Sequence, residues 1–522
     1  MKQLQTVSVV SPGFFGLNTQ DSSVTLSSNF ALAADNCIID KFGRLGARKG
    51  WEQKTTDGVD ELSNLNIEML AEHINADDTA VTLSAGNQKL FTGGVDAVLT
   101  DVTPVGYAIS ANNWKVATLN DHALIVQEAH ETLVYTESDT PNVQKLVDYT
   151  GVAQAYGTSY PRDTISAYGR FWAHDGSNVY WTTDIADTAF PAFSGGTSGF
   201  LNISAVLPNN VDTIVALGSY NGFLVIFCER NIVIYRGPEN PLGDFSLQDV
   251  IAGVGCVARD SVQGTGNDLI FLSDTGVRSL GRLIQEKSVP LRDLTTNVRD
   301  DLLLDITIER FNTVITDGAS DLRNVKSVYS ELNAFYLLSL PSIDKVYCLD
   351  MRKPLETGAA RVTTWKEYEA RAFSRNRGRE LLIGKPDGIG VYNTYTDNGS
   401  AYQLKYASHY LDLGLPTTNK MLKQINATVI GGTNQTFVIK TSFDYQDSPR
   451  SYPFTIITGE VFEYGIAEYN IAEYTFGVVL EAVKSSAGGS GNVVQSGFEA
   501  EVNGNELSVQ KIDMFAKTGR IS

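Results

Sequence analysis

The chain has 522 residues, more than one hydrophobic core usually organises, so it must hold several domains or one large repeat-built one. Hydrophobic residues make up 43% and charged residues 19%, with 46 Gly, a composition suited to short strands and turns. The net charge of −19 excludes a role that depends on gripping nucleic-acid phosphates. The start MKQLQTVSVV lacks the apolar run of a secretory signal, and the densest apolar stretch, FLVIFC at 223–228, falls far short of the ~20 residues needed to cross a bilayer. A soluble compartment is expected.

Residues 14–36 mix Gly, Asn, Asp, Gln and Ser with Phe14, Phe15, Leu17, Val24, Leu26, Phe30 and Leu32 at no single period. With the turn at 41–43 they read as an N-terminal arm and hairpin over 1–60. From about 61 to 400 one pattern returns: an apolar strand, a polar turn, and a second strand closing on an aromatic or Leu. The copies are AVTLSAGNQKLF (80–91), ALIVQEAHETLVY (123–135), FWAHDGSNVYW (171–181), LVIFCERNIVIY (224–235), LIFLSDTGVRSL (269–280), FYLLSLPSIDKVY (335–347) and LLIGKPDGIGVY (381–392). They recur about every 45 residues, with one longer interval after Leu280, close to the period of propeller blades. A lone hairpin cannot bury both faces, so the copies must stack, and closing the stack into a ring removes its exposed ends. The expected fold is mainly β, a propeller of six or seven blades; an open stack of hairpins is the rival.

The long interval holds an insertion at about 283–324. Within it Leu294, Val298, Leu302 and Ile306 recur at every fourth position of DLTTNVRDDLLLDI (293–306), which predicts an amphipathic helix capped by Thr295 or Thr296. Such a helix either meets a partner or covers a blade edge. Residues 401–522 read as a separate small β domain, with strand pairs around Gly/Asn turns at 424–445 and 497–517. Within it EYGIAEYNIAEYTFG (463–477) sets Tyr464, Tyr469 and Tyr474 five residues apart, a spacing that gives no single buried stripe on a strand or a helix. It reads as a partner-docking arm of exposed aromatics or as a locally folded loop.

Catalytic signatures are weak. GVGCVA (253–258) matches a dinucleotide fingerprint only superficially, because Gly264 and Gly266 break the helix that should follow. The five histidines, His73, His122, His130, His174 and His409, are not at metal-ligand spacing, and Cys37, Cys228, Cys256 and Cys348 read as buried thiols. Asp175 sits in a turn faintly like a sialidase Asp-box but without its spacing, so a hairpin turn is the reading. No catalytic residue, metal or cofactor is expected.

The segment GLNTQDSSVTLSSNFALAADNCIIDKFGRLGARKGW (16–51) resembles the N-terminal region of tail nozzle proteins of short-tailed bacteriophages, also called hub or phage stabilisation proteins. The matching elements are Gly16-Leu17-Asn18-Thr19, Ala34-Asp35-Asn36, the turn at Lys41-Phe42-Gly43, and Arg48-Lys49-Gly50-Trp51. The stretches at 252–280, 463–477 and 507–520 are similar to that family's central blade, short aromatic repeats and C-terminal strand, so about a third of the chain takes part. The chain departs from the pattern at Phe15, where the family has a second Gly. The resemblance implies a virion protein, assembled in the host cytoplasm as a ring, usually of six copies, below the portal and adaptor. Such a ring docks tail fibres or spikes and conducts and retains double-stranded DNA, and acidic walls would let that polymer slide. On this reading the arm is pinned by neighbouring subunits or the adaptor, with Phe14, Phe15, Leu17, Asn18, Phe30, Tyr464, Tyr469 and Tyr474 as partner contacts. The rival of another class is a carbohydrate-binding or glycan-cleaving propeller of a phage tail.

Overall fold

The computed structural model describes residues 5–521 apart from 23–25, 56–66, 87, 94–97, 108, 110–112, 185–190, 208–211, 286–292, 313–320, 387, 415–416, 447, 457–479 and 487. Among the described residues the central span forms successive antiparallel units: five four-stranded sheets, one three-stranded sheet, and four strands that belong to a larger sheet. Blades 1 to 4 are residues 69–101, 115–145, 163–202 and 214–252; blade 5 is the three-stranded sheet 263–279; blades 6 and 7 are 326–366 and 372–391. Their innermost strands touch in chain order, except that blade 4 meets blade 5 through the 3-10 turn Arg259–Ser261, and Ala372–Arg375 of blade 7 packs on Met69–Ile74 of blade 1. The ring is closed: the fold is a β-propeller.

Each hairpin read from the sequence forms the second and third strands of one blade. The residues that close them, Phe91, Tyr135, Trp181, Tyr235, Leu280, Tyr347 and Tyr392, are all buried. They are large because each fills space between two twisted sheets, which is why the pattern survives when little else repeats. Blade 7 takes its outermost strand from far away in sequence, since Glu52–Gln53 pairs with Gly388–Val391.

The insertion after blade 5 carries a helix at Arg299–Asn312, preceded by a single 3-10 turn at Thr296–Val298. Leu294, Val298, Leu302 and Ile306 are buried in one cluster with Ile270, Val277 and Leu338, so the helix covers the edges of blades 5 and 6. It starts later than 293 because Asp293, and neither threonine, organises the entry: its carboxylate accepts from the Thr295 amide at 2.9 Å and the Thr295 hydroxyl at 3.1 Å. It runs on past 306 because the buried Glu309 accepts from the Ser342 amide and hydroxyl at 2.9 and 2.8 Å.

The C-terminal strands and the N-terminal segment form one body, against the expectation of a separate arm and a separate domain. One sheet is seven-stranded and contains Gln5–Val10, Cys37–Ile39, Leu45–Ala47, Thr418–Gly431, Leu480–Ser486, Ser490–Gly491 and Leu507–Ile521. The other joins Ala31–Asp35, Tyr402–Ser408, Val494–Val502, Thr436–Phe443 and Arg450–Thr455 to blade 6 as one nine-stranded sheet, through the parallel pair Asp35 and Thr364. A single hydrophobic cluster runs from blades 5 and 6 through both sheets. The turns at 431–436 and 502–507 carry the chain from one sheet to the other, so the strands they join do not pair with each other as a hairpin would. Period-two burial tells which side of a strand is covered, not which strand lies beside it.

Candidate functional site

Two places concentrate polar chemistry: the clasp where the N-terminal segment crosses the molecule, and the mouth of the ring axis.

The clasp begins at Gly16. Its φ of +76° and its approach to blade 6, where an added Cβ would lie 2.6 Å from the Val362 amide nitrogen, leave room only for glycine. The next amide, Leu17 N, donates to Val362 O at 2.8 Å, and Ala31 N donates back to Gly16 O at 2.9 Å. Asn36 then joins three elements. Its side-chain oxygen accepts from Arg48 Nε and the Lys366 amide, both at 3.0 Å, and its Nδ2 donates to Gln403 O at 2.8 Å. Arg48 is fully buried, pairs through both terminal nitrogens with Asp397 at 2.8 and 2.7 Å, and lies over the rings of Tyr368 and Tyr402 at 4.3 and 4.1 Å. Burial works against its charge, but Asp397 more than offsets this and the guanidinium pKa is raised. At Gly50 a Cβ would meet Thr396 O at 2.0 Å. Beyond it Lys385 Nζ lies 4.5 Å from the Trp51 ring centroid and 4.0 Å from that of Tyr368, and donates to Tyr368 O. Burial pulls this lysine down to about 7.

These fixed points lie within the chain, on blade 6 and the C-terminal strands. Leu17 and Asn18 are buried, and Asn18 Oδ1 accepts from the amides of Gln20 and Asp21 at 3.1 Å. Phe14, Phe15 and Phe30 are half-buried: Phe15 meets Phe30 edge-on at 5.2 Å, and Arg361 lies 4.6 Å over Phe14. Tyr464, Tyr469 and Tyr474 lie outside the described residues. The strands flanking them, Arg450–Thr455 and Leu480–Ser486, are outermost strands of the two sheets.

At the ring axis, Glu68, Lys115, Asp163, Lys326 and Arg371 stand at or just before the first residue of the innermost strands of blades 1, 2, 3, 6 and 7. Arg259, just ahead of blade 5, reaches across to the far side of the ring. Its guanidinium donates to Asn113 O and Arg162 O at 2.7 Å and to Trp114 O at 2.9 Å. Asp260 accepts from Arg259 at 2.8 Å, from Lys115 at 3.1 Å and from Lys326. Burial alone would raise this carboxyl, yet Arg259, Lys326 and Lys115 together hold it well below the usual range. The axis is therefore bridged, and its charge is of both signs. On the side of blades 6, 7 and 1 a cavity of about 220 Å³ remains, lined by Glu68, Asn324, Lys326, Pro341, Ser342 and Arg371.

The other motifs are placed as follows. Asp175 Oδ1 accepts from the amides of Ser177 and Asn178 at 2.8 and 2.7 Å, and Oδ2 accepts from Tyr180 OH at 2.8 Å, so it builds a hairpin turn. Gly255 passes against the backbone of Glu229, and GVGCVA leads into one 3-10 turn and a strand, with no helix to face a pyrophosphate. The four cysteines are buried free thiols. The buried His174 accepts at Nδ1 from the Gly176 amide at 3.1 Å, and burial lowers its pKa to about 4. No group of three or more His, Cys, Asp or Glu among the described residues is arranged to hold a metal ion. The axial cluster was missed in the sequence because its members are scattered singly over some 300 positions; the one available signal was their shared place ahead of each repeat.

No family model matches the chain, and no curated protein matches its sequence. Among solved structures the chain is similar to PorZ, a bacterial surface component of the type-IX secretion system of Porphyromonas gingivalis, at 11% identity and a TM-score of 0.36, over 69% of this chain and 42% of PorZ. It is similar to YCF48 bound to D1 peptide at 11% identity and a TM-score of 0.37, over 66% of this chain and 96% of YCF48. The WD40 domain of Neurospora crassa Pan2 matches at 7% identity and a TM-score of 0.35, over 66% of this chain and 94% of that domain.

Proposed function

We propose that the chain is a structural protein of a phage virion, a subunit of the tail nozzle ring that conducts and retains DNA and docks fibres or spikes, without catalytic duty. The observation that carries this reading is the use made of the residues behind the family resemblance. Gly16, Asn36, Arg48, Gly50 and Trp51 all sit in the clasp between ring and C-terminal sheets, where the need is for mechanical continuity. A subunit that bears pressure from packaged DNA benefits from having its two parts share one core and one continuous sheet. Because Arg259 bridges the propeller axis, the DNA duct on this reading is the lumen enclosed by several copies, and the net charge of −19 keeps duplex DNA from adhering to it. The pentad segment, which follows one edge strand and precedes another in the sequence, is the proposed docking arm.

Imaging of purified particles tests this directly: the chain should occur as a closed ring, six-fold in the family it resembles, under the portal and adaptor. Recovery of the chain only as a free monomer would defeat the proposal, as would tight binding of duplex DNA at physiological salt.

The polar axial cavity favours a second reading, a carbohydrate-binding propeller. Glycan cleavage fits it less well, since hydrolysis needs two carboxylates across the bond and Glu68 is the one carboxylate lining the cavity among the described residues. Release of reducing sugar from host surface glycans would reverse that judgement.

A further inference from the structure

The axial cavity is independent of whether the chain belongs to a tail. The mouth around it carries charges of both signs, Lys115, Arg259, Lys326 and Arg371 with Glu68, Asp163 and Asp260, and Glu128 paired with Arg162 and Arg323 beside them. Three of the cations are committed: Lys115, Arg259 and Lys326 converge on Asp260. Arg371 is not among them. It lines the cavity, and it takes part in no ion pair among the described residues. At about 220 Å³ the space holds roughly seven waters at ~30 Å³ each, enough for a small acid. Its lining is mostly polar, which disfavours an apolar guest. A guanidinium presents paired donors that match the two oxygens of a carboxylate.

We propose that this cavity is a binding site for a carboxylate, held by Arg371 at the junction of blades 6, 7 and 1. The carboxylate belongs either to a small free acid or to an acidic side chain of a peptide entering the mouth of the axis. Glu68, which lines the same cavity, limits affinity by repelling it.

Calorimetric titration of the full chain with succinate, with triglutamate and with inorganic phosphate, at constant ionic strength, tests the assignment. Saturable binding of succinate is expected for a free-acid site, and of triglutamate alone for a peptide site. Arg371→Gln should weaken whichever binds by about tenfold or more, the loss of a charge-assisted pair, while thermal melting checks that the variant is folded. Glu68→Gln should act in the opposite direction and tighten binding severalfold, a result that does not depend on the Arg371 variant folding. The proposal is overturned by absence of saturable binding of either carboxylate, by equal binding to wild type and a folded Arg371→Gln, by Glu68→Gln leaving affinity unchanged or weaker, or by a preference for phosphate.

Discussion

The ring and the clasp are built by opposite strategies. In the ring nearly every strand pairs with one that follows it within a few residues, as Phe223–Cys228 does with Asn231–Arg236, and each blade leans on the next. In the clasp the partners are hundreds of residues apart: Arg48 with Asp397, Asn36 with Gln403, Gln5–Val10 with Leu507–Ile521. Local pairing spends little loop-closure entropy per contact, whereas the clasp must close very long loops and relies on a few concentrated interactions to do so. Loss of one residue should therefore hurt the clasp more than a blade.

The largest effect is expected at Arg48. Arg48→Ala leaves Asp397 short of its partner and empties a site walled by Tyr368 and Tyr402, and should cost about 3–5 kcal/mol in urea unfolding. Asp397→Asn added to it should cost much less than it does alone, since the two share one interaction; strict additivity would show that the pair is not the clasp's centre. Next comes pH, acting through a blade. His174 is held neutral with a folded pKa of about 4, below its value of 6.5 in an unfolded chain, so the unfolded state binds more protons in between. Its contribution is complete above pH 6.5 and is lost as pH falls toward 4. Between pH 7 and pH 5 wild type should lose about 2 kcal/mol more than His174→Gln, by paired unfolding curves.

A smaller loss belongs to a single blade turn. Asp175→Ala removes the acceptor for two amides and the Tyr180 hydroxyl, and should cost about 1–2 kcal/mol while the clasp stays intact. A loss as large as that for Arg48→Ala would erase the proposed contrast. The smallest effect should come from Phe311→Ser on the outward face of the rim helix, where the side chain is 71% exposed; the melting temperature should barely move, within about 0.5 kcal/mol.

Legibility followed the same division. The blade hairpins could be read because apolar alternation, a turn and a closing aromatic lie within a dozen residues of each other, and all of those closing residues proved buried. The rim helix could be read for its face, since Leu294, Val298, Leu302 and Ile306 form one stripe, but not for its ends, which Asp293 and Ser342 set from outside the pattern. The arm looked loose because its burial has no period. Phe15 packs on Phe30 and Gly16 on Val362, and contacts of that kind leave no periodic trace.

The amino-acid sequence by itself determined that the chain would be mainly β, that its middle would stack hairpins into a ring, and that the ring's hairpins would be where they are, because those outcomes rest on interactions between near neighbours. Tertiary structure alone decided that the first fifty residues lock the molecule from within, that the C-terminal strands join blade 6 in one sheet, and that scattered charges meet at the axis. Each of these joins groups remote in sequence, and no local pattern encodes which distant partner will satisfy a buried charge or cover an open sheet edge.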